Sequence, residues 1–157
     1  YDGEYLNGAK NGKGKEYYYY GKLRYKGEFI YGKWSGKGKE YCNDKLIFEG
    51  EFNKGIRWNG IFFQNNEKYE IKNGNGKGVK YDNEGNLIFE GNFINGIRNG
   101  IGKEYNEMGK LIFEGEYLDG IKHGKAKEYD NNILIFEGEY SNGKRCNEKG
   151  NGYCIIN

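Results

Sequence analysis

His123, three cysteines and a recurring set of glutamates and lysines are the residues whose types could do chemistry in this 157-residue chain. His123 stands in IKHGKAKEY at a turn position. No serine or cysteine recurs beside it, so a histidine-activated nucleophile lacks its second member. Paired carboxylates such as Glu49 and Glu51, or Glu114 and Glu116, have the types needed for general acid and base work. They recur along the FEGEY-like stretches, which assigns them to cross-strand lysines and not to one reaction centre. GEFIYGKW, from Gly27 to Trp34, has phosphate-loop spacing up to its lysine. Trp34 stands where Ser or Thr would hold magnesium, however, and no helix follows. The same spacing returns in GEYSNGKR from Gly138, so it is a by-product of repetition. Cys42, Cys146 and Cys154 fit neither a zinc knuckle nor a disulfide framework. The expectation is a chain with no catalytic residue, no metal and no cofactor.

Two other sets could bind. Lys13 and Lys15, Lys37 and Lys39, and Lys125 and Lys127 would line up as a basic stripe for lipid or phosphate if the strands bring them together. The competing reading is a solvated face neutralised by Glu16, Glu40 and Glu128. Phe29, Phe52, Phe93, Tyr117 and Tyr140 recur at regular intervals. In a single-layer sheet part of that aromatic row stays open and forms a groove for a partner segment, unless the rings only pack on one another.

Composition limits what can position these residues. An apolar share of 36% and a mean hydropathy of −1.02 exclude a thick core, whereas 17% aromatic residues favour a thin ordered structure over disorder. Glycine occurs 28 times and proline not at all, which suits strands and turns. With 25 basic and 23 acidic residues interleaved, no global field favours nucleic acid. No run approaches a membrane span, no secretory signal is present, and unpaired cysteines fit a reducing, cytoplasmic setting.

The elements come from a repeat. LIFEGEY at Leu111 recurs unchanged at Leu134 and nearly unchanged at Leu46 and Leu87. Anchoring on the central glycine gives Gly3, Gly27, Gly50, Gly91, Gly115 and Gly138. A degenerate copy lies between the third and fourth of these, with Glu67 on the anchor position. Seven units follow, approximately 1–22, 23–45, 46–63, 64–86, 87–110, 111–133 and 134–157. In each unit residues alternate with period two, and Asn-Gly or a similar pair turns the chain into a second, GKGKEY-like strand. A hairpin of this size cannot bury its aromatic face alone, so the units stack into an elongated, single-layer antiparallel sheet, a rod or ribbon. The sheet should kink or bulge near the third and fourth units. Tyr1 falls inside the first strand of a unit, which suggests a fragment of a longer chain.

The units YDGEYLNGAKNGKGKEY from Tyr1 and FEGEYLDGIKHGKAKEY from Phe113 resemble the MORN (membrane occupation and recognition nexus) repeat, which has aromatic, glycine, aromatic, then Asn-Gly, then Gly-x-Gly. The KEYYYYGKL and KEYNEMGKL junctions look like a bacterial variant of it. The departures are Glu67, Ala126 at a Gly-x-Gly site, and an extra residue in GIRWNG. The resemblance implies a non-catalytic scaffold that binds a helical or extended protein segment and can dimerise end to end, at a cytoplasmic, membrane-peripheral or cytoskeletal location. Two alternatives it implies are a phosphoinositide or membrane-recruitment module, and a regulatory array attached to a lipid kinase, methyltransferase or exchange factor.

Overall fold

The structure, a computed structural model, describes residues 1–64, 66–82 and 84–146. Its elements are strands: β1 (Asp2–Leu6), β2 (Ala9–Tyr17), β3 (Leu23–Ile30), β4 (Lys33–Cys42), β5 (Lys45–Asn53), β6 (Ile56–Gln64), β7 (Glu67–Ile71), β8 (Gly76–Tyr81), β9 (Leu87–Ile94), β10 (Ile97–Tyr105), β11 (Leu111–Leu118), β12 (Ile121–Asp130), β13 (Ile133–Ser141) and β14 (Lys144–Arg145). The two-residue period decides the faces. In β5 Phe48 and Phe52 are buried while Glu49 and Glu51 are exposed. Strands pair antiparallel in chain order, β1 to β7 in one sheet and β8 to β14 in another. Substantial contacts join only strands consecutive in the chain, so the layer is single, as the repeat predicts.

Tight turns along one edge set the register. Asn95 and Gly96 have φ of 51° and 75°, and the six other Asn-Gly-like pairs repeat this, including Tyr31 and Lys54 at 47° and 52°. Two successive positive φ values make the type I′ turn that matches strand twist. From Gly32 onward each turn glycine donates its N–H to a carbonyl of the preceding hairpin, as in Gly32 to Lys10 at 2.8 Å, Gly55 to Trp34 at 2.7 Å and Gly120 to Arg98 at 2.8 Å. These bonds form a spine down the edge.

The core is a herringbone of rings. Tyr25 meets Phe29 and Phe52 edge-on at 5.1 Å each, and Phe89 meets Phe93 and Tyr117 at 5.4 Å. Paired glycines make room for it. Gly27 lies opposite Gly38, where a Cβ would come 2.6 Å from the partner Cα, and the Tyr25 ring covers both.

The expected kink is a break between β7 and β8. Turn glycine and next glycine are four positions apart in Gly8 to Gly12, Gly32 to Gly36 and Gly96 to Gly100, but two apart in Gly74 to Gly76. The missing pair comes from the part of the strand that bulges in β2, β4 and β10. Without it β8 cannot follow β7 beyond one bridge, Lys72 to Asn75. The deletion also corrects the register. Ile71, not Glu67, stands across from Gly60 in the anchor position, because alignment back from NGKGVKY carries the deletion into the upstream strand. Phe62 covers Gly78 as Tyr25 covers Gly38, and the glycine spine crosses the break through Gly74 to Trp58 at 2.7 Å and Gly96 to Gly74 at 2.9 Å.

Candidate functional site

Of the five rings expected to line an open groove, Phe29, Phe52, Tyr117 and Tyr140 are buried, with exposures of 1, 4, 3 and 7%; Phe93 alone is half-exposed. The open row is thereby corrected. Each buried ring is wedged between neighbouring rings, as Tyr140 is between Phe113 at 5.7 Å and Phe136 at 5.6 Å.

A layer of cations lies over this floor. Arg57 sits 4.7 Å from the Phe62 centroid, Arg98 4.2 Å from Phe89, Lys122 3.8 Å from Phe113 and Arg145 4.6 Å from Phe136. Glutamates of the KEY-type stretches hold them in place. Glu16 binds Lys10 at 2.5 Å, Glu40 binds Arg57 at 2.6 Å, Glu104 binds Arg98 at 2.6 Å and Lys122 at 3.0 Å, and Glu128 binds Arg145 at 2.7 Å. Burial pushes the Glu104 carboxyl up, but Lys122 and Arg98 outweigh it and hold the pKa below its ordinary value. Hydrogen bonding from Arg145 does the same for Glu128. Glu16, Glu40 and Glu128 therefore do not neutralise the Lys-x-Lys pairs. Glu40 stands opposite Phe48, on the aromatic face, while Lys37 and Lys39 face the other way. The sequence reading missed the cations, although their signal was present: a basic residue two places after the turn glycine, at Lys10, Arg57, Arg98, Lys122 and Arg145.

The Lys-x-Lys pairs share the outer face with the FEGEY glutamates. Lys39 pairs with Glu49 at 2.9 Å and Lys127 with Glu137 at 3.4 Å, while Lys13, Lys37 and Lys125 stand opposite Glu28, Glu51 and Glu139. Among the described residues only Lys15, Lys26 and Lys39 form a row of like charge. The paired carboxylates divide their labour: Glu114 accepts from Tyr129 Oη at 2.8 Å, and Glu116 accepts the Lys125 N–H of the β12 bulge at 3.3 Å. His123 lies within β12 opposite Glu116, two residues beyond the tight turn. The GEFIYGKW stretch is β3, its turn and the start of β4. Cys42 is a buried free thiol, and Cys146 is disulfide-bonded. Cys154 lies outside the described residues.

The model of the MORN repeat matches residues 1–19, 25–46, 89–110, 113–132 and 136–147. The chain belongs to the MORN repeat family. MORN repeats are generally non-catalytic modules for protein or membrane interaction. No curated protein is similar to this MORN array by sequence. The stretch between the second and third matched segments contains the break, where the MORN pattern loses its glycine and two residues. Among the described residues no helix is long and apolar enough to cross a membrane.

Proposed function

We propose that this array is a non-catalytic interaction scaffold that holds a partner segment along its aromatic face. Phe29, Phe52, Phe93, Tyr117 and Tyr140 form its floor. The observation that carries the reading is the single layer: among the described residues substantial contacts join only consecutive strands, and no second sheet or helix lies over the aromatic face. A helix or extended peptide would lay its apolar side between those cations and meet them with its own polar groups. Capture of partner protein from a cell extract, compared between the native array, Trp34→Ala plus Phe93→Ala, and Lys37→Glu plus Lys39→Glu, tests this. Loss is expected from the ring variant alone.

The row Lys15, Lys26 and Lys39 favours a second reading, recruitment to anionic lipid through the outer face. Its signature is vesicle binding that disappears as salt rises and with Lys37→Glu plus Lys39→Glu, because attraction at an interface is screened within about 8 Å at physiological ionic strength. That outcome, with the ring variant unaffected, would displace the scaffold reading.

A further inference from the structure

The ladder of ion pairs over the aromatic face is interrupted at the break. Glu16, Glu40, Glu104 and Glu128 each stand two residues beyond a strand glycine, Gly14, Gly38 and Gly102 or Ala126 in its place. After Gly60 that position holds Phe62, and after Gly78 it holds Lys80. Lys80 stands opposite Phe89, so it faces the ring side, and it is exposed with no ion-pair partner among the described residues. A cation therefore replaces a carboxylate in the register that elsewhere neutralises Arg57-like residues.

A cavity of about 320 Å³ opens at the same place. Trp34 of the first sheet and Phe93 of the second are part of its walls, both half-exposed, with Phe62 and Ile71 buried beneath. Arg24, Arg57, Lys80 and Arg98 line it; Glu16, Glu40 and Glu104 hold the three arginines, which leaves Lys80 as the lining cation without an ion-pair partner among the described residues. A site of this volume lies at the small end of ligand pockets, roughly 300 to 1,000 Å³, which suits one side chain better than a whole ligand.

We infer that this cavity anchors an acidic segment of a protein partner, taking one aromatic or large aliphatic side chain between Trp34 and Phe93. A neighbouring Asp or Glu of that segment supplies the carboxylate missing from the ladder to Lys80. Charge complementarity selects this occupant, since a basic segment would be repelled by the Lys80 ammonium and a neutral one would leave it unmatched. The inference rests on the scaffold reading and narrows it to one anchor point.

Selection of a random dodecapeptide display library on the native chain tests it. Enriched peptides are expected to carry an aromatic or leucine residue flanked by Asp or Glu. Lys80→Glu, at an exposed side chain with no ion-pair partner among the described residues, is expected to weaken them about tenfold, and Phe93→Ala by a similar factor, with melting of the Lys80→Glu variant unchanged. Enriched peptides without acidic bias that still need Trp34 and Phe93 would overturn the acidic anchor and leave the scaffold reading standing. Peptides indifferent to all three residues would overturn the site itself. Failure to enrich any peptide would count against both readings.

Discussion

Arg57 of β6 holds Glu40 of β4 with two hydrogen bonds, Nε to Oε2 at 2.6 Å and Nη2 to Oε1 at 2.7 Å, while its Nη1 donates to the Val79 carbonyl of β8 at 3.0 Å. One side chain thus ties a buried carboxylate in the first sheet to the backbone of the second. Arg57→Ala leaves the buried Glu40 carboxyl without its guanidinium partner and is expected to cost about 3 kcal/mol. Arg57→Lys should recover only part of this, because an ammonium cannot present the two-pronged fork. Thermal denaturation of both variants checks the order.

Gly27→Ala should destabilise more than Gly109→Ala. A methyl on Gly27 meets Gly38 Cα at 2.6 Å and the Lys37 carbonyl at 2.7 Å, so two backbones must separate. Overpacking of that kind costs about 1 to 3 kcal/mol, and here no flexible side chain can yield. Gly109 has open space around it and only its φ of 71° to oppose a side chain, about 1 kcal/mol. Equal melting temperatures would contradict the glycine-pair packing.

Tyr117→Phe should leave stability unchanged or raise it by about 1 kcal/mol. The Tyr117 hydroxyl is buried beside Glu104 and Arg98 but makes no hydrogen bond of ordinary geometry to either, and removing such a group removes its desolvation cost. Phe29, Phe52 and Phe93 already occupy equivalent places without one. Chemical denaturation gives the difference, and a loss of several kcal/mol would show that the hydroxyl is satisfied in solution.

Acid should loosen the cation layer. Glu104 and Glu128 have folded pKa values below the ordinary 4.5, so their contribution is fully present above about pH 4.5 and is lost as pH falls through the lowered values. The melting temperature should therefore drop between pH 4.5 and 3, less steeply in Glu104→Gln. Calorimetry across that range tests the sign. A melting temperature that rises on acidification would refute it.

Fourteen strands in chain order at about 4.8 Å spacing would extend roughly 65 to 70 Å, so small-angle scattering should give a radius of gyration well above the ~15 Å of a sphere-like chain of this length. A value near 15 Å would mean that the two sheets fold back on each other.

The repeat by itself determined the strands, the tight turns and the family, because period-two aromatics, paired glycines and Asn-Gly are local demands that each hairpin meets alone. The face of Glu40 was legible too: two residues past Gly38, it must share a side with Phe48. Burial of the predicted rings was not, because whether Phe29 or Tyr117 stays open depends on rings and cations delivered from neighbouring hairpins about 23 residues away in sequence. Nor could the sequence alone place Ile71 opposite Gly60. A two-residue deletion after a turn reads equally well on either side of it, and only pairing with β6 decides which strand keeps its register. The cavity at the break, with Lys80 facing into a cationic gap between two sheets, exists only because that choice leaves β7 and β8 in separate ladders.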